Sequence, residues 1–283
     1  MLVESIPIMM MTAVIIASGA SIAYLFKKDP YWDKLTIFAM LAGFILITIF
    51  FVIRGHMIWV LDIPDTPLLM TVMGRGGSLA LWVWGTYLCY FWVRQKYRED
   101  DLPLLKYTPA TVNLTSLVII YFLVFYYDPY GLRTLCPCCL AYTWLLISHP
   151  LTLFASRSLM VIAFAGYIGY LITEDRRWDE FTYPFLMASY VLLTAGIITG
   201  GIWIYVISVT HWGALHPIYW GWDPIETAPL VPWIVWTAYI HTRRLMKKNE
   251  NMEIVTIMLG IIGCILLAFS YFILEILVMP WTR

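Results

Sequence analysis

The chain has 283 residues, of which 61% are hydrophobic and only 13% are charged, and its formal net charge is zero. A soluble domain is typically about half apolar and a quarter charged, so this composition excludes an ordinary soluble fold. The neutral charge balance also argues against nucleic acid as a partner, and we expect none.

The apolar residues are grouped in long blocks, and a helix needs about 20 mostly apolar residues to cross a bilayer. In chain order the blocks are 6–26, 35–53, 78–93, 111–127, 151–172, 183–209, 230–240 and 254–278. The seventh block is the weakest, because it is short and contains Pro232. Spanning strands would alternate apolar and polar residues, unlike these blocks. The sequence therefore predicts an all-α polytopic membrane bundle of about eight transmembrane helices, the first of them a retained helix rather than a signal peptide.

The positions of the basic residues predict how the helices are oriented. With the N-terminus outside, the inner connections hold 13 of the 18 Lys and Arg residues, in segments 27–34, 94–106, 174–180 and 243–250. Basic residues concentrate on the inner side of membrane proteins, so both termini are expected outside. We predict a single membrane domain over 1–283, with no apparent internal repeat. Its outer loops are expected at 54–77, 128–150 and 211–229.

The third outer loop is denser in aromatic side chains than membrane anchoring requires, and it includes Trp212, Trp220 and Trp222. Tryptophans often anchor a helix at the interface, but a cluster of them also suits a large, flat, apolar ligand. Asp223 and Glu226 are three residues apart and could share one face of a short helix. Asp223 could equally cap a helix that begins at the following proline.

A family resemblance rests on this loop. Residues 220–227 read Trp-Gly-Trp-Asp-Pro-Ile-Glu-Thr, and they are followed by Pro232-Trp233 and His241. This run resembles the WWD signature of the haem-handling cytochrome c assembly family that includes CcmF, CcmC and CcsA. Similar segments extend the resemblance over roughly residues 54–245, and they are Gly76–Trp82, Asp128–Tyr130, His149-Pro150 and Thr194–Tyr205. The Asp-Pro-x-Glu form and the His-Pro pair are closest to CcmF.

The resemblance implies that the chain binds haem b non-covalently. It assigns His149 to haem iron on the outer face and His241 to the iron of a haem within the membrane. Further haem contacts are implied for Trp212, Trp220, Trp222, Asp223, Glu226 and Trp233. The residues alone leave other readings open, since His149 could stabilise a turn before Pro150. His241 could be an interfacial residue near a helix C-terminus.

The sequence departs from the CcmF pattern in three respects. No histidine follows His241, although the family has further ligands there, so we expect a second membrane subunit to supply them. The loop is longer before Trp220, and His211 or His216 could replace one missing ligand. The second outer loop contains Cys136, Cys138 and Cys139, for which a disulfide or thiol exchange is conceivable.

The function implied by the resemblance is cytochrome c biogenesis. Haem would be held at the outer loop, supplied by a haem-delivery protein and attached covalently to apocytochrome c. The chain would be a haem lyase subunit, as half of a split CcmF, in the plasma (inner) membrane with its functional loops on the periplasmic side. Two alternatives remain, namely a CcmC- or CcsA-like haem delivery or export protein, and a haem-binding structural subunit of a larger complex.

Overall fold

The fold was examined in a computed structural model, which describes residues 2–60, 74–97, 104–127, 129–130, 143–210, 218–222, 224–246, 249 and 252–273. Across these ranges the regular structure consists of eight α-helices and no strand. In chain order they are α1 (Leu2–Lys27), α2 (Pro30–Val60), α3 (Gly74–Lys96), α4 (Leu104–Phe125), α5 (Thr143–Thr173), α6 (Arg177–Thr210), α7 (Pro224–Met246) and α8 (Met252–Ile273). The predicted all-helical membrane fold is confirmed.

Six of the helices are long and apolar enough to cross a membrane, namely α1, α2, α4, α5, α6 and α8. The other two, α3 and α7, have 23 residues each. At 1.5 Å per residue that length corresponds to about 35 Å, which would cover a hydrocarbon core of about 30 Å. Their polar and charged residues make them less apolar, because α3 ends in Arg94 and Lys96 and α7 ends in Arg243 and Arg244.

Charges at the helix ends match the helix dipoles. Asp33 lies in the first turn of α2, and Asp179 and Glu180 lie in the first turn of α6. Arg94 and Arg243 lie in the last turns of α3 and α7. Acidic groups are favoured at helix N-termini and basic groups at C-termini, so these residues stabilise the ends where they occur.

The chain divides into two compact units. The first unit comprises Met1–Leu140 with Ile168–Trp178, and the second comprises Ala141–Tyr167 with Asp179–Arg283. In the first unit α1 packs against α2 and α4, and α3 packs against α4. In the second unit α7 packs closely against α8.

Three helix boundaries differ from the sequence prediction. Helix α2 continues to Val60, so the expected first outer loop begins later than residue 54. Helix α5 begins at Thr143, which places His149 inside the helix rather than in the preceding loop. Helix α7 begins at Pro224 and runs through Pro229 and Pro232. Proline suits the first helical position, and each later proline removes only one backbone hydrogen bond, so this helix is longer than its apolar block suggested.

Candidate functional site

His149 is fixed on α5 by a bond to the neighbouring helix α6. Its Nδ1 lies 2.7 Å from the carbonyl oxygen of Gly196. A carbonyl oxygen can only accept, so Nδ1 carries the proton in this contact. In the neutral imidazole the other nitrogen, Nε2, then keeps its lone pair. The structure thus selects the tautomer that presents Nε2 as a metal ligand.

Two glycines of α6 make room for α5 at this point. A Cβ on Gly196 would lie 2.5 Å from Cδ2 of Leu153, and a Cβ on Gly200 would lie 2.7 Å from Cε1 of His149. No side chain larger than hydrogen fits at either position without displacing its neighbour. The two glycines, four residues apart, therefore let α5 approach α6 closely, and the imidazole lies directly over Gly200.

The next turn of α6 adds an aromatic wall to the histidine. The rings of His149 and Trp203 are stacked, with centroids 6.3 Å apart and planes inclined by 29°. The indole Nε1 of Trp203 is buried and has no hydrogen-bond partner among the described residues. The same holds for Nε1 of Trp220 in the tryptophan-rich segment. Buried donors of this kind are costly unless an acceptor reaches them.

The tryptophan-rich segment folds back along α6. The backbone N–H of Ile218 donates to Oγ of Ser208 at 3.1 Å, and the Tyr219 hydroxyl donates to the carbonyl of Ile198 at 3.4 Å. A Cβ on Gly201 would lie 2.7 Å from Cζ of the Tyr219 ring. The Tyr219 ring therefore lies over Gly201, the residue that follows Gly200, and the His149 ring lies over Gly200.

Trp220 and Trp222 follow Tyr219 and are held by the start of α7. Their rings meet edge to face with centroids 6.4 Å apart. The Glu226 carboxylate accepts the backbone N–H of Gly221, which lies between them. Trp222 is 75% exposed and has a φ of 56°, a conformation that costs a residue with a Cβ roughly 1–2 kcal/mol. Glu226 thus positions a strained turn that presents the Trp222 ring outward.

Trp233 lies deeper, on the third turn of α7. Its Nε1 donates to Oγ1 of Thr194 at 2.9 Å, and its ring stacks on Tyr190 with planes inclined by 15°. Both of its interactions are therefore satisfied by side chains of α6. This is a different situation from that of Trp203 and Trp220, whose indole nitrogens have no acceptor among the described residues.

His241 lies near the other end of α7. It is exposed, two residues before Arg243, which pairs with Asp179 in the first turn of α6. His149 instead lies beside Gly196 and Gly200, toward the end of α6. About 15 residues of α6 separate the two levels, which corresponds to about 20 Å. The two histidines therefore cannot bind the same metal ion.

Some of the predicted site residues lie outside the described residues, namely Trp212, His216, Asp223 and the cysteines at 136, 138 and 139. The described residues bring together His149, Trp203, Tyr219, Trp220 and Glu226 around the end of α6. Sequence reasoning did not single out Trp203 and Tyr219 as site residues. A signal for both was present in the sequence, since Trp203 follows Gly200 by three residues and Tyr219 directly precedes Trp220.

Several known proteins are similar to this chain. The family model "Cytochrome C assembly protein" matches residues 74–279. CcmF of Haemophilus influenzae is 27% identical over 198 residues, covering 66% of this chain and 29% of that protein. The probable cytochrome c-type biogenesis protein NrfE of Escherichia coli is 29% identical over 214 residues, covering 68% of this chain and 37% of that protein.

A solved structure has a similar fold. Cytochrome c haem lyase CcmF superposes with a TM-score of 0.73 at 17% identity, covering 95% of this chain and 46% of that chain. The chain thus spans only about a third to a half of the length of these relatives. The family match covers most of the chain, including α3 and every helix after it. The resemblance drawn from the WWD run is thereby confirmed, and this multi-pass membrane protein belongs to the cytochrome c assembly protein family.

Proposed function

We propose that this chain binds haem b non-covalently through His149 and presents it for covalent attachment to apocytochrome c, as a haem lyase subunit of cytochrome c biogenesis. The observation that carries the proposal is the hydrogen bond from His149 Nδ1 to the Gly196 carbonyl. It holds the ring against Gly200 and leaves Nε2 as the atom that can bind iron.

The residues around His149 suit a flat ligand with acidic edges. Trp203 and Trp220 each offer a buried indole N–H that lacks an acceptor among the described residues. Haem propionates are carboxylates and could accept such bonds. Within the described ranges, no group of three His, Cys, Asp or Glu side chains is placed to hold a bare metal ion. One histidine among aromatic rings therefore favours iron that arrives already chelated by a porphyrin.

The chemistry assigned to the proposed reaction is addition of two cysteine thiols to two vinyl groups. In each addition the S–H bond breaks, a C–S bond forms, and the proton adds to the other vinyl carbon. The chain's own contribution would be positional, with His149 fixing the iron, Trp203 fixing the ring plane and Glu226 holding the turn of Trp222. Such positioning lowers a barrier without a general acid or base.

The finer parts of the proposal follow the names of the relatives and the partial coverage. CcmF and NrfE are named as biogenesis proteins, and this chain covers 29% and 37% of the two relatives. As part of the same proposal, the chain lies in the inner membrane with the His149 end on the outer side and acts with a second membrane subunit and a haem-delivery protein. His241, about 20 Å from His149 along the helices, is proposed to bind a separate haem within the membrane.

The test is an absorption spectrum of the purified, reduced chain with added haem, compared with the His149→Ala and His241→Ala variants. We expect His149→Ala to remove one haem per chain while leaving the thermal unfolding temperature nearly unchanged. A second loss in His241→Ala would identify the membrane haem. The proposal is wrong if His149→Ala binds haem as the parent does.

The same preparation separates the lyase from the haem-delivery alternative. Haem-loaded chain is mixed with a reduced apocytochrome peptide containing Cys-x-x-Cys-His, with and without the remaining biogenesis subunits. Acid–acetone extraction removes non-covalent haem but leaves haem that is attached through thioether bonds, so the covalent product can be measured directly. Transfer without covalent product, under all of these conditions, would favour a delivery protein.

A further inference from the structure

The first observation is a side-chain cluster that occurs twice at the same ends of two helix pairs. In the first unit the two terminal guanidinium nitrogens of Arg94 on α3, Nη1 and Nη2, donate to Asp33 on α2 at 2.9 and 2.6 Å. In the second unit Arg243 on α7 donates to Asp179 on α6. Each arginine also donates to the hydroxyl of the tyrosine four residues earlier, Tyr90 at 3.5 Å and Tyr239 at 3.4 Å.

A second contact repeats in the middle of the same helix pairs. Trp84 Nε1 on α3 donates to Oγ1 of Thr48 on α2 at 3.1 Å, as Trp233 donates to Thr194 at 2.9 Å. The Trp84 ring stacks on Phe44 at 5.1 Å and 18°. The Trp233 ring stacks in the same way on an aromatic residue of α6, at 5.9 Å and 15°.

The numbering of these contacts is constant. The α2 members Asp33, Phe44 and Thr48 precede their α6 counterparts Asp179, Tyr190 and Thr194 by 146 positions each. The α3 members Trp84, Tyr90 and Arg94 precede Trp233, Tyr239 and Arg243 by 149 positions each. The change from 146 to 149 equals the three extra residues of α6, which has 34 residues where α2 has 31.

The turns that precede these helices repeat as well. Residues 24–36 and 170–182 are identical at six of 13 positions. Lys28 and Glu174 share a left-handed backbone with φ of 51° and 53°, and each donates its N–H to the residue four before it. In both turns the following aspartate, Asp29 or Asp175, accepts the backbone N–H two residues later at 2.9 Å.

From these coincidences we infer that α1–α4, the first copy, and α5–α8, the second copy, are tandem copies of one four-helix unit. Six contacting residues of each copy and one turn agree in chemistry, geometry and spacing. Helix packing in lipid is set by such specific contacts, because apolar surface alone gives no driving force between helices there. Independent arrival at the same set is therefore a poor explanation.

The copies sort the candidate site residues into two groups. Residues that have a counterpart in the other copy form what we call the shared frame of helix contacts. Trp233 belongs to it, because Trp84 is its counterpart. The frame also holds Thr194, Asp179 and Arg243. The site residues of the second copy, by contrast, have no chemically similar counterpart in the first. At the spacing of 146 positions, the residues equivalent to His149, Gly200 and Trp203 are Val3, Arg54 and Met57.

It follows that Trp233 supports the helix frame and does not contact haem, a refinement that rests on the proposed function. The two tryptophans also supply a matched pair of variants. Trp84→Phe and Trp233→Phe each retain a ring for stacking but remove the indole N–H from a threonine hydroxyl. Both variants should be destabilised, although only Trp233 lies in the copy that contains His149.

The experiment measures thermal unfolding and bound haem per folded chain for the full-length protein in detergent. We expect Trp84→Phe and Trp233→Phe each to lower the unfolding temperature by a few degrees, with the larger change in Trp233→Phe because its hydrogen bond is the less exposed of the two, and with haem occupancy within about 20% of the parent for both. Selective loss of haem in Trp233→Phe would show that Trp233 is a ligand contact and would overturn the assignment. Destabilisation in one variant and none in the other would overturn the equivalence of the copies.

A milder pair covers the case in which either tryptophan variant fails to fold. Thr48→Val and Thr194→Val keep the volume and remove only the acceptor. The same two readouts apply, with destabilisation of both variants and unchanged haem expected. The unfolding data test the tandem copies even if the chain binds no haem, whereas retention of haem in His149→Ala contradicts the proposed function alone.

Discussion

The two copies share their frame but differ at one end of the helices. In the first copy Arg54 is 1% exposed and donates to the carbonyl of Pro129, beside Gly76, whose Cβ would lie 2.8 Å from that same oxygen. In the second copy the position equivalent to Arg54 is Gly200, and the space is taken by the His149 imidazole. The same frame therefore carries an arginine at this end in the first copy and the His149 imidazole in the second. If His149 binds haem as proposed, binding depends on this end of the helix pair, and the frame supplies stability.

The largest effect is expected from adding a side chain at Gly200 in the second copy, where the His149 ring lies. In Gly200→Ala the new Cβ would meet the imidazole at 2.7 Å. The ring cannot shift without losing its bond to Gly196, so haem affinity should fall on the order of tenfold or more. Haem titration followed by absorbance measures this.

Gly19→Ala is the matched control, because nothing lies within 4 Å of a Cβ there. It should leave haem affinity unchanged. Equal affinities for Gly200→Ala and the parent would show that His149 is not the ligand, or that its position is not critical.

The next largest effect is expected from the ion pairs of the frame. Breaking a buried pair costs about 3–5 kcal/mol and an exposed one about 0.2–1 kcal/mol. These pairs are partly buried, with side-chain exposures of 25% and 23% for Arg94–Asp33 and 16% and 12% for Arg243–Asp179. Asp33→Asn and Asp179→Asn should each lower the free energy of unfolding by about 1–3 kcal/mol.

Charge reversal tests whether the pairing itself is responsible. The double variant Asp179→Arg with Arg243→Asp should recover part of the loss seen in either single variant, and the corresponding double variant in the first copy should behave alike. Denaturation in detergent followed by circular dichroism gives the free energies. Recovery in one copy only would break the comparison.

A smaller effect is expected at Glu226, which has a glycine at the equivalent position of the first copy, Gly77. Glu226→Ala leaves the Gly221 N–H without this acceptor, at a cost of about 1–2 kcal/mol. Because the affected turn presents Trp222, we expect haem affinity to weaken several-fold, together with a fall of a few degrees in unfolding temperature from the lost hydrogen bond. Glu226→Gln keeps an acceptor oxygen and should retain most of the affinity. Identical affinities for the alanine variant and the parent would remove Glu226 from the site.

The smallest effect is expected at the repeated turn. Lys28 and Glu174 adopt left-handed backbone conformations that glycine adopts without steric cost. Lys28→Gly and Glu174→Gly should each stabilise the chain by about 0.5–1 kcal/mol, since the relief of strain exceeds glycine's entropy cost. Calorimetry compares the two. A gain at one position and a loss at the other would contradict their equivalence.

The sequence predicted the helical membrane class and the family from strong, local signals. Long apolar blocks predicted about eight spans, because burial in lipid requires an apolar residue at nearly every position, and six of the described helices meet the length and hydropathy of a span. The WWD run and the His149-Pro150 pair predicted the family from contiguous residues.

The bounds of α7 and the internal repeat were not predicted. Because proline usually interrupts a helix, Pro229 and Pro232 favoured a short seventh block, although α7 runs through both of them with the loss of one backbone hydrogen bond at each. The repeat is obscured because most positions differ between the copies and the spacing changes from 146 to 149 between their second and third helices. It becomes clear only when contacts such as Thr48–Trp84 and Thr194–Trp233 are compared.

By itself, the sequence determined which residues could bind haem iron and which segments lie in the membrane, since both depend on residue type and local pattern. Only the tertiary structure decided how the tryptophans and histidines differ from one another. The Trp233 indole N–H donates to Thr194 of α6, whereas the indole N–H groups of Trp203 and Trp220 have no acceptor among the described residues. The Gly196 carbonyl accepts from His149 Nδ1 and so determines the tautomer of that ring. These distinctions arise from contacts between residues about 40 or more positions apart or from the absence of such contacts, and they depend on helix register, which no local pattern specifies.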